Sequence, residues 1–377
     1  MSAIPVLWLS GPSGVGKSSV GWELFTHWTG KGIKTAFVDS DQISLCHPTP
    51  ESVTHHIGAQ NLAAIWPNLR REGMRCMILA GIADTAEQVR QYTDRVPDAA
   101  WTLCRLRAGS AELRQRFLVR GWRLDLVDAA LARAEALDRA DFTDMCVDTG
   151  GLTVPEVARL IRERAGGWPG TILPGVLPLP LPAVRVSEEG DRIPLLWFSG
   201  ATAVGKSTVA YEVFRRIVRS GVRAAYVDVK QIGALRPAPT VLKARNLAAL
   251  WAGYRAAGAR YLIVSGEADS DDSVRRYTGL LPGTTPTVIR LHAEAATLAE
   301  RVALRGRGEG PAIPGDELKG LPAAGLQQAA GRAAHEAEVL DAAGAGDLRI
   351  TTDGRPAQEV AAEIWCQFPR GTTRPDS

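Results

Sequence analysis

The 377-residue sequence predicts an α/β chain of two three-layer domains, each a parallel five-stranded sheet between helices. Three observations predict it. The stretch GPSGVGKSS at residues 11–19 returns as GATAVGKST at 200–208, each time after a short apolar run. From Gly11 to Gly200 and from Asp39 to Asp228 the separation is the same 189 residues (200 − 11 and 228 − 39). Within each copy, apolar runs alternate with stretches of helical period, the pattern of strands buried on both faces of a parallel sheet.

Each element follows in order. PVLWLSG and PLLWFSG are first strands that run into the glycine loop, and SSVGWELFTHW and STVAYEVFRRI are the helices after it. TAFVDSD and AAYVDVK are second strands. NLAAIW (Asn61 to Trp66) faces NLAALW (Asn246 to Trp251) in the next helix, after a shortening of four residues in the second copy (61 − 39 against 246 − 228). The apolar runs CMILAG and YLIVSG, then WTLCRLRA and TVIRLHA, then MCVDT and LRITT complete five strands per copy. AEALD (Ala134 to Asp138) returns as AEVLD (Ala337 to Asp341), which leaves the second copy 18 residues longer after Gly306 (337 − 306 against 134 − 121).

Copies of this length are whole domains rather than solenoid repeats. The expected domains are 1–165 and 192–366, joined by a Pro/Gly-rich linker at 166–191 and followed by a tail at 367–377. Pro178, Pro180 and Pro182 favour an extended spacer in that linker. A chain cut within 170–188 is expected to give two pieces that fold separately, since each copy holds a full set of strands.

Composition sets the outer limits. An apolar fraction of 45% with 23% charged residues is that of packed domains, and a net charge of +3 argues against a protein that coats nucleic acid or a membrane surface. No apolar run approaches the roughly 20 residues that span a bilayer. The N-terminus lacks the basic flank of a signal peptide, so a cytoplasmic protein is expected. The five cysteines are widely spaced with no CxxC pair, which fits a reducing compartment. Cys76, Cys104 and Cys146 fall at Tyr261, Ile289 and Arg349 in the other copy, so the copies share no thiol chemistry. Cys76 and Cys104 read as small buried hydrophobes.

Both loops satisfy G-x-x-x-x-G-K-[ST] between a strand and a helix, the context in which backbone N–H groups cradle phosphate. In the first copy the cradle is Gly11, Ser13, Gly14, Val15, Gly16, Lys17, Ser18 and Ser19. In the second it is Gly200, Thr202, Ala203, Val204, Gly205, Lys206, Ser207 and Thr208, with Ala203 standing where the first has Gly14. Lys17 and Lys206 are placed to reach the outer phosphates of ATP, and Ser18 and Ser207 to hold its Mg²⁺. Asp39 and Asp228 close the second strands at the sheet edge where ligands gather, placed to take a proton from a substrate hydroxyl; the alternative is an N-cap or turn aspartate. Lys230 replaces Asp41, so only the first copy has a carboxylate pair.

Arg116 and Arg120 lie four apart on one helical face, as do Arg301 and Arg305, and a glycine follows each set. Such arginines at a lid can close on a transferring phosphoryl group; the alternative is a solvated face paired with Glu112 or Glu300. The segments SLCHPTPESVTHHIGAQ and GALRPAPTVLKAR are expected as loops that wall the acceptor pocket. His47 becomes Arg236 there, and the histidines lack a third ligand at metal-binding spacing.

The order of glycine loop, strand-two aspartate, NLA helix, apolar strand, RLxA strand and RxxxRG lid resembles the small P-loop kinases: adenylylsulfate kinase, shikimate and gluconate kinases, and chloramphenicol phosphotransferase. The likeness covers nearly all of each copy, and VDSDQI is similar to the adenylylsulfate kinase D-G-D motif. It implies a nucleoside-monophosphate-kinase-like P-loop NTPase fold with strand order 2-3-1-4-5, use of ATP and Mg²⁺, and a base at Asp39 and Asp228. Adenylylsulfate kinases carry an arginine three residues before the helix asparagine; Gly58 and Lys243 stand there, so the substrate is not carried over. A strand-end acidic residue of the Walker B kind is also missing: the third strands end at Gly81 and Gly266, with Asp84 and Asp269 beyond them.

These residues point to an ATP-dependent phosphotransferase acting on the hydroxyl of a small-molecule acceptor, with the first copy the more competent. Two alternatives share the loops: a regulatory ATPase that senses nucleotide, and a polynucleotide 5′-end kinase, against which the near-neutral charge counts. The acceptor and the oligomeric state stay open.

Overall fold

A computed structural model describes residues 3–120, 124–170, 192–236, 239–266, 270–309 and 315–368. Residues 171–191 of the linker expected at 166–191, residues 369–377 of the tail expected at 367–377, Asp269 and the side chain of Arg120 lie outside the described residues. The chain forms two compact units. The first comprises Met1–Leu45, Pro50–Arg185 and Lys230–Gly253, the second Cys46–Thr49, Val186–Val229 and Tyr254–Ser377. Neither unit is one uninterrupted half of the sequence.

The first half of the chain supplies β1 (Ile4–Ser10), α1 (Lys17–Gly30), β2 (Thr35–Asp39), β3 (Cys46–His47), α2 (Glu51–Arg71), β4 (Cys76–Ala80), α3 (Ala86–Thr93), β5 (Ala99–Arg107), α4 (Ser110–Arg120), α5 (Val127–Asp138), β6 (Met145–Asp148) and α6 (Val154–Arg164). The second supplies β7 (Ile193–Gly200), α7 (Lys206–Arg219), β8 (Ala224–Asp228), β9 (Ala234–Leu235), α8 (Thr240–Ala256), β10 (Tyr261–Ser265), α9 (Asp271–Thr278), β11 (Thr284–His292), α10 (Ala295–Gly306), α11 (Ala323–Ala342), β12 (Leu348–Thr351) and α12 (Ala357–Cys366). The strands read from apolar runs all form. Their inner members are buried on both faces, as their near-continuous hydrophobicity requires.

The sheets run β6-β5-β1-β4-β2-β9 and β12-β11-β7-β10-β8-β3. Five strands of each are parallel in the order 2-3-1-4-5. The expected count of five strands is corrected to six. In the first unit β9 pairs antiparallel with β2, Ala36 opposite Leu235 and Phe37 opposite Ala234. In the second, β3 pairs antiparallel with β8, Cys46 opposite Ala225 and His47 opposite Ala224. The physical reason lies in β2 and β8 themselves: all five residues of each are buried, and an exposed edge of that composition is open to unwanted pairing. A strand from the other half of the sequence closes it.

The segments expected as acceptor-pocket loops are therefore mainly something else. Cys46–His47 and Ala234–Leu235 are edge strands, and the chain is helical from Glu51 and from Thr240. In the first unit Asn61 Nδ2 donates to Ile43 O (2.6 Å) and Asn246 Nδ2 to Ile232 O (3.0 Å), so the two equivalent asparagines each brace the chain after strand two. Asn68 Nδ2 also donates to Asn246 Oδ1 at 3.0 Å. No helix among the described residues is long and apolar enough to cross a membrane.

Candidate functional site

In the first unit β1 passes directly into the glycine loop and α1 begins at Lys17. Gly11 has φ +140°, and a Cβ there would stand 2.5 Å from the carbonyl oxygen of Leu106, so glycine is what lets the loop turn past β5. Gly16, at φ +104°, precedes α1 with no side chain capping the helix. The first N–H groups of α1 have no partner within the helix and are suited to an anion. Lys17 is buried and donates from Nζ to Gly11 O (2.9 Å) and Pro12 O (3.0 Å). Burial lowers its pKa, against the opposing charges of Asp41 and Asp39. The second unit repeats the arrangement: Lys206 Nζ donates to Gly200 O (2.8 Å) and Ala201 O (2.9 Å).

Asp39 ends β2 beside the loop. Its Oδ2 accepts from Ser18 Oγ at 2.6 Å and its Oδ1 from the N–H of Asp41 at 3.0 Å. Burial and the neighbouring Asp41 push its carboxyl up to about 6, while the Ser18 hydrogen bond pulls the other way. Ser207 Oγ likewise donates to Asp228 Oδ2 at 2.7 Å. A hydroxyl and a carboxylate on the same spot are oxygen donors of the kind Mg²⁺ takes, together with water and phosphate oxygens. Ser18 with Asp39 therefore fits that ion. Among the described residues no group of three or more His, Cys, Asp and Glu forms a metal cage, and Mg²⁺ needs none.

The strand-end position that lacks an acidic residue has a steric explanation. A Cβ on Gly81 would lie 2.0 Å from Ser40 Oγ, and one on Gly266 2.5 Å from the Trp197 ring. A side chain at either place would require Ser40, or Trp197 and Val229, to move. The next carboxylate along the chain after Gly81 is Asp84, which forms an ion pair with Arg133 of α5 at 3.0 Å. The charges of both residues act on Lys17. Sequence reasoning missed Arg133, because nothing in the spacing of an alanine-rich helix marks it. Gly58, where the resemblance leads one to expect arginine, packs so closely on Tyr92 that a Cβ would meet its hydroxyl at 2.4 Å.

Arg116 occupies another station. Its Nη1 donates to Val15 O and Thr149 Oγ1, both at 3.0 Å, and its Nη2 to Thr149 O at 2.8 Å; Nε pairs with Glu112. Arg301 makes the same bonds to Val204 O, Thr352 Oγ1 and Thr352 O. Each arginine fastens the glycine loop to the end of the last strand. Arg116 also lines a cavity of about 350 Å³ with Gly14, Gly16, Ser19, Phe117 and Thr153. Arg305, the counterpart of Arg120, makes a two-pronged bond to Asp316 at 2.7 and 3.0 Å.

No family model matches the chain, and no curated protein matches it. Solved structures do match, each over a little under half of the chain. The tunicamycin resistance protein of Deinococcus radiodurans is 18% identical over 43% of this chain and 96% of its own, with a TM-score of 0.35. A gluconokinase from Sinorhizobium meliloti 1021 is 18% identical over 42% of this chain and 90% of its own (TM-score 0.29). Shikimate kinase from Acinetobacter baumannii is 19% identical over 43% and 93% (TM-score 0.29). Strand order 2-3-1-4-5, a glycine loop between first strand and first helix, and an aspartate ending strand two occur in both units, and this chain therefore has a P-loop NTPase-like α/β fold twice.

Proposed function

We propose that the protein is an ATP-dependent phosphotransferase that moves the γ-phosphoryl group to a hydroxyl of a small molecule, and that the first unit performs the reaction. The observation that carries this reading is the grouping around Ser18: a buried carboxylate at 2.6 Å and, on the same loop, a buried lysine folded onto its own backbone. On binding ATP, Lys17 turns from the loop carbonyls to the outer phosphates. The uncapped N-terminus of α1 takes the phosphate charge, and the cavity beside Arg116 and Phe117 receives the base.

The acceptor oxygen forms the new bond to the γ-phosphorus as the bond from that phosphorus to the ADP oxygen breaks; the hydroxyl proton passes to Asp39. A carboxyl held near 6 is mostly ionised at pH 7 and still basic enough to accept it. Mg²⁺ would be held by Ser18 with water and phosphate oxygens and would neutralise charge on those oxygens, which leaves the Asp39 carboxylate to take the proton. Arg133 is poised to leave Asp84 for the developing charge on the transferred group.

The closed strand end at Gly81 favours a second reading, a nucleotide-sensing domain with weak hydrolysis. Turnover separates the two. Purified protein with ATP and Mg²⁺ is expected to release ADP slowly alone and much faster with one member of a panel of sugars, polyols and hydroxylated antibiotics. Asp39→Asn is expected to keep nucleotide affinity within a few fold while kcat falls roughly 10²–10⁴-fold. Tight nucleotide binding with no acceptor-dependent turnover across the panel leaves the sensor reading. An unchanged kcat in Asp39→Asn removes Asp39 from the base role.

A further inference from the structure

The two units carry opposite charges at one equivalent place. Asp138 ends α5 and is ion-paired to Arg105, and Asp341, in the last turn of α11, is ion-paired to Arg290. Five residues before these aspartates stand Arg133 and Glu336. The helix faces correspond as well: Ala130, Ala134 and Leu137 are buried in the first unit, Ala333, Ala337 and Leu340 in the second.

Arg133 brings a cation to the phosphate side of the first loop. Glu336 does the reverse. Its Oε2 accepts from the backbone N–H of Thr202, inside the second glycine loop, at 2.7 Å. A backbone donor of the phosphate cradle is thus already engaged by a carboxylate of the same unit. Arg305, the lid cation of the second unit, is tied at the same time to Asp316, which lies in the stretch after Gly306 where that copy is longer and whose side chain is well buried. Ala203 adds a further difference: at φ +64° it is the only non-glycine residue with positive φ among those described.

We infer that Glu336 closes the second glycine loop to polyphosphate, so that the chain binds one nucleoside triphosphate, in the first unit. The inference deepens the kinase reading and rests on it for the site in the first unit. A carboxylate on a loop donor competes with phosphate for that donor and repels its charge.

The test uses the full-length chain and binding of ATP with Mg²⁺, measured by calorimetry or equilibrium dialysis. Wild-type protein is expected to bind one equivalent, and Lys17→Ala to lose it. In the Lys17→Ala background, Glu336→Gln is expected to raise affinity at the second loop by about tenfold or more, the scale of a removed like-charge contact. Adding Lys206→Ala should abolish that gain. Glu336 is exposed, so Glu336→Gln is expected to fold, and alone it should leave turnover by the first unit unchanged. Two equivalents bound by wild type, or no gain from either Glu336→Gln or Glu336→Arg, overturns the closure. The kinase reading fails separately, when Lys17→Ala changes neither binding nor turnover; the Glu336 comparison still decides the state of the second loop in that case.

Discussion

At the scale of single residues, the loops differ by a linked pair of changes. A Cβ on Gly14 would meet the Phe117 ring at 2.9 Å, and Gly14 has φ +82°. In the second unit the corresponding residues are Ala203 and Val302, which pack together with Leu318 and Ala329. The methyl group and the smaller side chain go together. Gly14→Ala is expected to destabilise the first unit by about 2–4 kcal/mol, from the left-handed backbone and the overpacked ring. Adding Phe117→Val should recover the packing part, about 1–3 kcal/mol, and leave the backbone part. Urea unfolding of the double mutant against both singles measures the split. The thiols give a second residue-scale outcome. Burial pushes Cys46 and Cys76 up to about 11 and Cys104 up to about 12, whereas Cys146 and Cys366 are exposed. Thiolate is the reactive form, and at pH 8 roughly a thousandth or less of each buried thiol is ionised. A chromogenic disulfide reagent is expected to label two cysteines of the native protein and all five after denaturation. Lys17, Ser18 and Asp39 were legible because their motif spacing encodes contacts within one βαβ segment. Arg133 was not, since its meeting with Asp84 depends on how α5 folds back over the sheet.

At the scale of elements, the apolar strands announced themselves because burial on both faces leaves little room for polar residues. β3 and β9 did not. Each is two residues long and pairs with a strand from the other half of the sequence, so no local period records it. The start of α2 at Glu51 was hidden in the same way by the polar, histidine-bearing stretch before Asn61. Under the proposed function, α5 contributes to catalysis through Arg133. Arg133→Ala is expected to lower kcat by about 10²–10³-fold with nucleotide affinity within a few fold, as for loss of one transition-state donor. Arg133→Glu brings the charge of the second unit into the first, and is expected to weaken ATP binding as well. Steady-state kinetics beside direct binding separates the two effects. An unchanged kcat in Arg133→Ala would remove Arg133 from the transition state, and an unchanged affinity in Arg133→Glu would deny it any approach to the bound nucleotide.

At the scale of the whole molecule, the duplicated order of strands was legible and the exchange of segments was not. Residues 1–188 lack β9 and the start of α8, which belong to the first unit; residues 189–377 lack β3, which belongs to the second. Leu235 and Cys46 are fully buried in units formed mainly by the opposite half of the sequence. The expectation of two separately folding pieces changes accordingly. A chain cut between 171 and 188 is expected to yield halves that are poorly soluble alone and co-purify when co-expressed; two independently cooperative pieces would show that the exchanged segments are dispensable.

The exchanged edge strands also make the duplicated chain comparable to an obligate dimer whose subunits have been fused. A separate pair would fall apart on dilution, whereas the covalent tether holds its parts at an effective concentration on the order of millimolar. Once assembly no longer depends on protein concentration, one copy is released from keeping its chemistry. ATP bound in the first unit should then protect both units against heat, because melting either one withdraws a strand from the other.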